Sequence, residues 1–315
     1  MFKMKEEISY TEEIRKLKRI KNAIILAHYY QTGDIQDIAD FVGDSLALAQ
    51  KAAKNDADII LFAGVKFMAE TAKILAPEKK VLLPDLAAGC SLSDSCKPDD
   101  FRKFIDENPG RTVITYVNTS AEIKAMSDIV CTSSNAVKII ESLPPEEKII
   151  FAPDRNLGNY ILNKTVRNML IWDGTCHVHE EFSLEAIVNL KKEHQDAKII
   201  VHPECELPVR LVADYIGSTS SLLDFTKKDP CNTFIVATEP GIIHQMKKEN
   251  PGKLYIPVPP RDSTCACNEC NFMKLISVKK IYSCLLDEKP EITLDREIIE
   301  RAAKPIWRMM KISEK

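Results

Sequence analysis

An internal repeat constrains this chain more than any other feature. Three segments align: AIILAHYYQTGDIQDIADFVGDSLALAQ from Ala23, RTVITYVNTSAEIKAMSDIVCTSSNAVKII from Arg111, and KIIVHPECELPVRLVADYIGSTSSLLDF from Lys198. Each reads as a strand, a turn and a short helix, then a small residue, an Asp, two apolar residues and a hydroxyl residue five after the Asp. His28 to Asp40, Tyr116 to Asp128 and His202 to Asp214 are each 12 residues apart, and the successive Asp residues are 88 and 86 apart. Self-similarity at a fixed spacing is the mark of a repeated structural unit.

Later in each copy two more strands are expected: Ile59–Phe62 and Val81–Leu83, Ile149–Phe151 and Met169–Trp172, Phe234–Val236 and Leu254–Val258. Helical patterns fall between them, at Asp34–Ala53 and Lys66–Leu75 in the first copy. Short β-rich runs alternating with helices indicate α/β architecture with parallel sheets. Runs such as Ile-Ile-Leu and Ile-Ile-Phe do not alternate with polar residues, which suits strands covered on both faces. The expected fold is three similar small α/β/α domains related by pseudo-threefold symmetry around a central site. Their expected spans are 1–93, 94–178 and 179–275, with the C-terminal helices of 276–315 and an N-terminal helix at Thr11–Lys21 packed on the first. The conserved spacing of Asp40, Asp128 and Asp214 assigns them to the fold, at a turn or helix contact, and not to chemistry.

Parallel sheets bind ligands outside the carboxyl ends of their strands. There the repeat places His28, Tyr116 and His202 in one register, with Tyr30, Asn118 and Glu204 two residues on. After the second strand come Ser45, Ser133 and Thr219, accompanied by Asp44, Ser134 and Ser218; of these Ser45, Ser133, Ser218 and Thr219 suit helix capping, carboxylate or phosphate binding, or both. Each copy then closes on cysteine: Cys90, Cys176, and the group Cys265, Cys267 and Cys270 in C-A-C-N-E-C.

Ten cysteines are more than packing requires in a chain without a signal peptide, where a reducing compartment disfavours disulfides. Three thiolates, one per copy, point to zinc with an open position or to a 4Fe-4S cubane with one iron free of protein ligand. Cys96, Cys131, Cys205, Cys231 and Cys284 lie off the repeat register and read as packing thiols. The 43 Lys and Arg against 46 Asp and Glu leave a net charge of -3, so a nucleic-acid partner is not expected. No apolar run is long enough to span a membrane, and a cytoplasmic location is expected. Dinucleotide and ATP fingerprints are absent from the sequence.

The segments I-L-A-H-Y-Y-Q (25–31), G-D-S-L (43–46), T-Y-V-N (115–118), C-T-S-S-N-A (131–136), A-P-D-R-N-L-G (152–158), W-x-G-x-C-x-V-H (172–179), H-P-E-C (202–205), G-S-T-S (217–220) and C-N-F-M-K (270–274) resemble, in order, the motifs of the quinolinate synthase family. The resemblance implies a central, oxygen-sensitive 4Fe-4S cluster, and condensation of iminoaspartate with dihydroxyacetone phosphate to quinolinate, phosphate and water. By it the ligands are Cys90, Cys176 and Cys270, the last because x-x-M-K follows it. The tail departs from family members with a single cysteine here and is close to a C-x-x-C-x-x-C variant, which leaves Cys265 and Cys267 as candidate redox partners.

By the same resemblance Tyr30 and Glu204 are the candidates for general acid or base, with His202, Tyr116 and His28 orienting the triose intermediate or exchanging protons with it. Asn118, Ser45, Ser133, Ser218 and Thr219 would hold carboxylates and phosphate, and His179 would sit beside the cluster. The pathway implied by the resemblance names an aspartate oxidase or dehydrogenase as supplier of iminoaspartate. Two other classes compete with this reading. A non-catalytic redox sensor or cluster carrier explains the cysteines but not the His, Tyr and Glu register, and a zinc hydrolase explains the acid–base residues but lacks H-E-x-x-H.

Overall fold

The computed structural model describes residues 9–261 and 268–314; Cys265 and Cys267, and any pairing between them, lie outside this range. Twelve strands form three parallel sheets of four. The first holds β1 (Ala23–His28), β2 (Phe41–Gly43), β3 (Ile59–Ala63) and β4 (Lys80–Leu82). The second holds β5 (Thr112–Tyr116), β6 (Ile129–Cys131), β7 (Ile149–Ala152) and β8 (Met169–Ile171), and the third β9 (Lys198–Val201), β10 (Tyr215–Ile216), β11 (Thr233–Ala237) and β12 (Leu254–Pro257).

The order is the same in every sheet: β2-β1-β3-β4, β6-β5-β7-β8 and β10-β9-β11-β12. The chain therefore leaves its first strand toward one edge and returns to the other side for its third. This reversal opens a crevice between the first and third strands at their carboxyl ends. All five residues of β3 and all four of β7 are buried, as their unbroken apolar sequence requires of strands covered on both faces.

Asp40, Asp128 and Asp214 do serve the fold, and in one geometry. The Asp40 carboxylate accepts the Ile25 N–H at 2.7 Å while its own N–H donates to the Ile25 carbonyl at 2.9 Å. Asp128 grips Val113 and Asp214 grips Ile199 in the same way, with carboxylate bonds of 2.8 Å. Each Asp thus ties the start of the edge strand to the first strand and sets the parallel register. This clamp also divides the helical pattern expected over Asp34–Ala53, which is helical at Gly33–Ile38, extended at β2, and helical again at Ser45–Ala53.

The C-terminal segment is distributed differently from the expectation. Helix Val278–Asp287 packs on the N-terminal helix Tyr10–Ile20 and on β3, within the first unit. Helix Arg296–Ser313 lies mainly on β6 and on helices Ala121–Lys124 and Ala136–Glu141 of the second unit, and also touches helix Lys66–Leu75 of the first. Its buried stripe of Ala302, Ile306, Met309 and Met310 fills the gap between the two sheets. Helical periodicity shows that one face is buried, but it does not name the neighbour that covers it.

One apolar cluster runs through the first two units, joining Ile25, Leu61 and Val81 to Ile114, Ile129 and Phe151. The third sheet has its own clusters, with Ile199, Val201 and Ile235 on one face and Ile200, Phe234 and Val236 on the other. Cys131, Cys205 and Cys284 are buried within these clusters and Cys96 in a smaller one with Phe101, Val113 and Ile150, as packing thiols should be, whereas Cys231 is only partly buried beside the third sheet.

Candidate active site

The carboxyl ends of all three sheets face one cavity with a free volume of about 60 Å³. Cys90, Cys176 and Cys270 line it, one from each copy, together with His28, Tyr30, Ser45, Tyr116, Asn118, Ser133, His179, His202, Glu204 and Thr219. Ser218 is the sequence candidate that does not: its hydroxyl caps helix Thr219–Lys228, accepting the Ser221 N–H at 3.3 Å. Asp44 performs the equivalent cap for helix Ser45–Ala53, accepting the Ala47 N–H at 3.0 Å. Capping therefore falls on the residue before Ser45 and Thr219, which leaves these two hydroxyls at the cavity wall.

The two repeat-matched histidines share a local geometry. His28 Nδ1 accepts the N–H of Tyr30 at 3.2 Å, and His202 Nδ1 accepts the N–H of Glu204 at 3.4 Å. In both rings the proton of the neutral form is thereby assigned to Nε2, which in His202 lies 3.3 Å from Ser133 Oγ. Burial pushes the pKa of each imidazole down to about 3, so both are neutral at physiological pH.

A chain of hydrogen bonds joins the two phenols across the units. Tyr30 Oη lies 2.9 Å from Thr238 Oγ1, which lies 3.1 Å from His179 Nε2. His179 Nδ1 is 2.9 Å from Glu204 Oε2, and Glu204 Oε1 accepts the Tyr116 hydroxyl at 2.5 Å. Tyr30 Oη also meets Thr219 Oγ1 at 3.0 Å. Burial and the neighbouring Glu204 carboxylate raise both phenols well above their ordinary pKa. Burial alone would raise Glu204 too, but His179 and the hydrogen bonds from His179 and Tyr116 outweigh it and hold the carboxyl ionised, low in its range. The site thus pairs protonated phenols with a buried carboxylate, which is a donor and acceptor set for acid–base chemistry.

The thiols suit a metal centre. Burial raises all three, Cys90 to about 12; neighbouring thiols and Glu204 push Cys90 and Cys176 in the same direction, and Glu239 does so for Cys270. Such sulfurs stay protonated until a cation offsets the cost of their charge, and soft donors of this kind select zinc or iron–sulfur centres. Asn118 Oδ1, buried and without a hydrogen-bond partner among the described residues, adds an acceptor at the cavity wall.

The family model described as Quinolinate synthetase A protein matches residues 12–311. The chain belongs to the quinolinate synthase family. It is 59% identical over 300 residues to the quinolinate synthase of Microcystis aeruginosa, covering 95% of this chain and 94% of that one. It is 57% identical to that of Thermosynechococcus vestitus with the same coverage, and 54% identical over 308 residues to that of Chloroherpeton thalassium, covering 98% and 96%. The chain is therefore an enzyme of this family.

Sequence reasoning overlooked several residues at the site of this quinolinate synthase family member. Ala63, Ala152 and Ala237 pair with Ala27, Thr115 and Val201, the residues just before His28, Tyr116 and His202. The repeat therefore continues past the third strand as Gly64-Val65, Pro153-Asp154 and Thr238-Glu239. Thr238 completes the hydrogen-bond chain, and Asp154 and Glu239 are fully buried acids at matched positions. The alanine ending each third strand was the available signal.

Proposed function

We propose that the chain condenses iminoaspartate with dihydroxyacetone phosphate to give quinolinate, phosphate and water, as a step of NAD biosynthesis in the cytoplasm. In this reading Cys90, Cys176 and Cys270 hold a 4Fe-4S cluster. The observation that carries it is the meeting of one cysteine from each repeat copy with two phenols, a carboxylate and two neutral imidazoles in one cavity. Such a cluster, when bound, supplies an iron without a protein ligand, able to act as a Lewis acid toward a substrate hydroxyl that must leave as water.

The chain's own residues supply the protons. Each elimination needs a proton placed on the departing oxygen and a base to remove one from carbon. Tyr30 and Tyr116 retain their protons and serve as donors; Glu204 stays ionised and serves as base. Thr238 and His179 connect Tyr30 to Glu204, so a proton taken at Glu204 can restore the Tyr30 phenol without entry of bulk water. His28 and His202 present Nε2–H groups that orient carbonyl or hydroxyl oxygens without adding charge. Ser45, Ser133, Thr219 and Asn118 offer hydrogen bonds for phosphate and carboxylates, with the N-termini of helices Ser45–Ala53 and Thr219–Lys228 favouring negative charge. Iminoaspartate is a hydrolysable imine, so an aspartate oxidase or dehydrogenase is the expected supplier.

Anaerobic purification with iron and sulfide analysis tests the cofactor. About four of each per chain, lost in Cys90→Ser, Cys176→Ser and Cys270→Ser, supports the reading; a cluster indifferent to Cys90 and Cys176 overturns it. Quinolinate formation by the loaded enzyme tests the reaction.

A second reading rests on Cys176, His179 and Glu204, whose ligand atoms lie within 4.8 Å of one another. That set would suit one zinc ion with an open position. Stoichiometric zinc without sulfide would select it.

A further inference from the structure

We propose that the buried Glu239–Lys274 ion pair is a positioning device that fixes the Cys270 segment against the turn carrying Tyr30. Glu239 follows β11 in the third unit and is fully buried. Its Oε1 accepts the Lys274 ammonium at 2.8 Å and the backbone N–H of Cys270 at 3.3 Å, while its Oε2 accepts the N–H of Gly241 at 2.7 Å. Lys274 closes the triangle by donating to the carbonyl of Tyr30 at 2.8 Å. One carboxylate and one ammonium therefore join a segment of the third unit, the segment holding a cluster cysteine, and the first unit's catalytic turn.

The surroundings hold the same three segments together. Gln36 Nε2 lies within hydrogen-bond distance of the carbonyls of Tyr29, Gln31 and Gly241, at 2.9, 2.8 and 2.9 Å. Gln31 Nε2 donates to the Met273 carbonyl at 3.1 Å. A Cβ on Gly241 would come within 2.8 Å of the Tyr30 backbone, so the two segments meet without room for a side chain. A buried carboxylate that loses its cation is left with an uncompensated charge, and the hydrogen bonds it makes to backbone N–H groups position those groups only while it stays in place.

The role in catalysis rests on the function proposed above, whereas the structural role is read on protein without iron. In the full-length, reduced, iron-free chain, iodoacetamide labelling of Cys90, Cys176 and Cys270 is followed by peptide mass spectrometry. Lys274→Met should raise the Cys270 rate about tenfold, as expected when local opening loses a charge-assisted hydrogen bond, while Cys90 and Cys176 stay within about twofold. Lys274→Arg, which can still span Glu239 and the Tyr30 carbonyl, should restore the wild-type pattern, and Glu239→Gln should expose Cys270 less than Lys274→Met. In reconstituted enzyme Lys274→Met should lower kcat with little change in KM.

An unchanged Cys270 rate, or all three cysteines rising together, overturns the proposal. A wild-type enzyme without quinolinate synthesis defeats the functional reading alone and leaves the labelling pattern to decide this one.

Discussion

The first two units and the third are built from the same four-strand sheet but are joined differently. The first and second share one apolar cluster, with helix Arg296–Ser313 wedged between them. Among the described residues the third sheet and its helices contribute nothing to that cluster, and of the third unit only the segment 270–273 reaches it. The third unit meets the others mainly through polar contacts: Glu204 with Tyr116, His202 with Ser133, Thr219 and Thr238 with Tyr30, Gly241 with Gln36, and Lys248 with Asp37. An apolar seam stabilises and has no use for ionisable groups; a polar seam can hold them in pairs at fixed distances. The residues proposed for acid–base chemistry meet at the second kind, and Cys90, Cys176 and Cys270 border the first.

The sharpest way to break that comparison is to change the polar seam and look for lost chemistry without lost folding. Glu204→Gln keeps the shape and removes the charge shared by Tyr116 and His179. Turnover should fall by about 10²–10⁴-fold, the usual worth of a general base, with iron content and visible spectrum unchanged. Turnover within tenfold of wild type would remove Glu204 from the acid–base set.

The apolar seam makes the opposite prediction. Phe151 in the shared cluster and Phe234 in the third unit are both fully buried, and truncation of either to Ala should cost about 3–5 kcal/mol. The consequences should differ in place: Phe151→Ala should speed amide hydrogen exchange in both β1 and β5, and Phe234→Ala only in β9 and β11. Equal loosening of β5 by Phe234→Ala would mean that the three units melt as one body and that the two seams do not differ.

A smaller effect comes from pH. His28 and His202 fold with pKa values near 3 against 6.5 unfolded, so the unfolded chain binds more protons below 6.5 and stability falls as pH drops from there toward 3. Glu204, held low against an ordinary 4.5, acts in the same direction at lower pH. Asp154 and Glu239, raised by burial, act oppositely, their contribution weakening as pH rises through their folded values. Melting of the iron-free protein between about pH 7 and pH 5 should therefore lose part of its slope in His28→Gln and again in His202→Gln. Identical slopes would show that these imidazoles are not buried neutral.

How much of this was legible in the sequence depends on the kind of information required. The repeat register predicted the row His28, Tyr116 and His202 and the structural role of Asp40, Asp128 and Asp214, because parallel strand ends are places that topology fixes. Choosing Cys270 among three tail cysteines required resemblance, since register does not single one out, and so did noticing His179, which has no counterpart in the other copies. Asp154, Thr238 and Glu239 were in register but hidden, because an acid after a strand reads as a solvated turn until its burial is known. The attachment of helix Arg296–Ser313 to the second unit was not legible, because an amphipathic stripe has no address. Ser218 fills the capping role, one of the two that its place before a helix allowed.

The smallest effect tests whether the polar seam conducts protons or only holds shape. Thr238 is buried, and among the described residues its hydroxyl is the link between Tyr30 and His179 in the chain of hydrogen bonds. Thr238→Val preserves volume and β-branching, leaves Tyr30 bonded to Thr219, and interrupts the path to Glu204. Loss of one such bond corresponds to about tenfold in rate, so kcat should fall by about that factor, with KM and melting temperature close to wild type. Thr238→Ser returns the hydroxyl without the methyl group and should recover most of the rate. A Thr238→Val enzyme as fast as wild type would show that the two phenols are reprotonated independently, and the seam would then be a scaffold for two separate acids rather than one connected set.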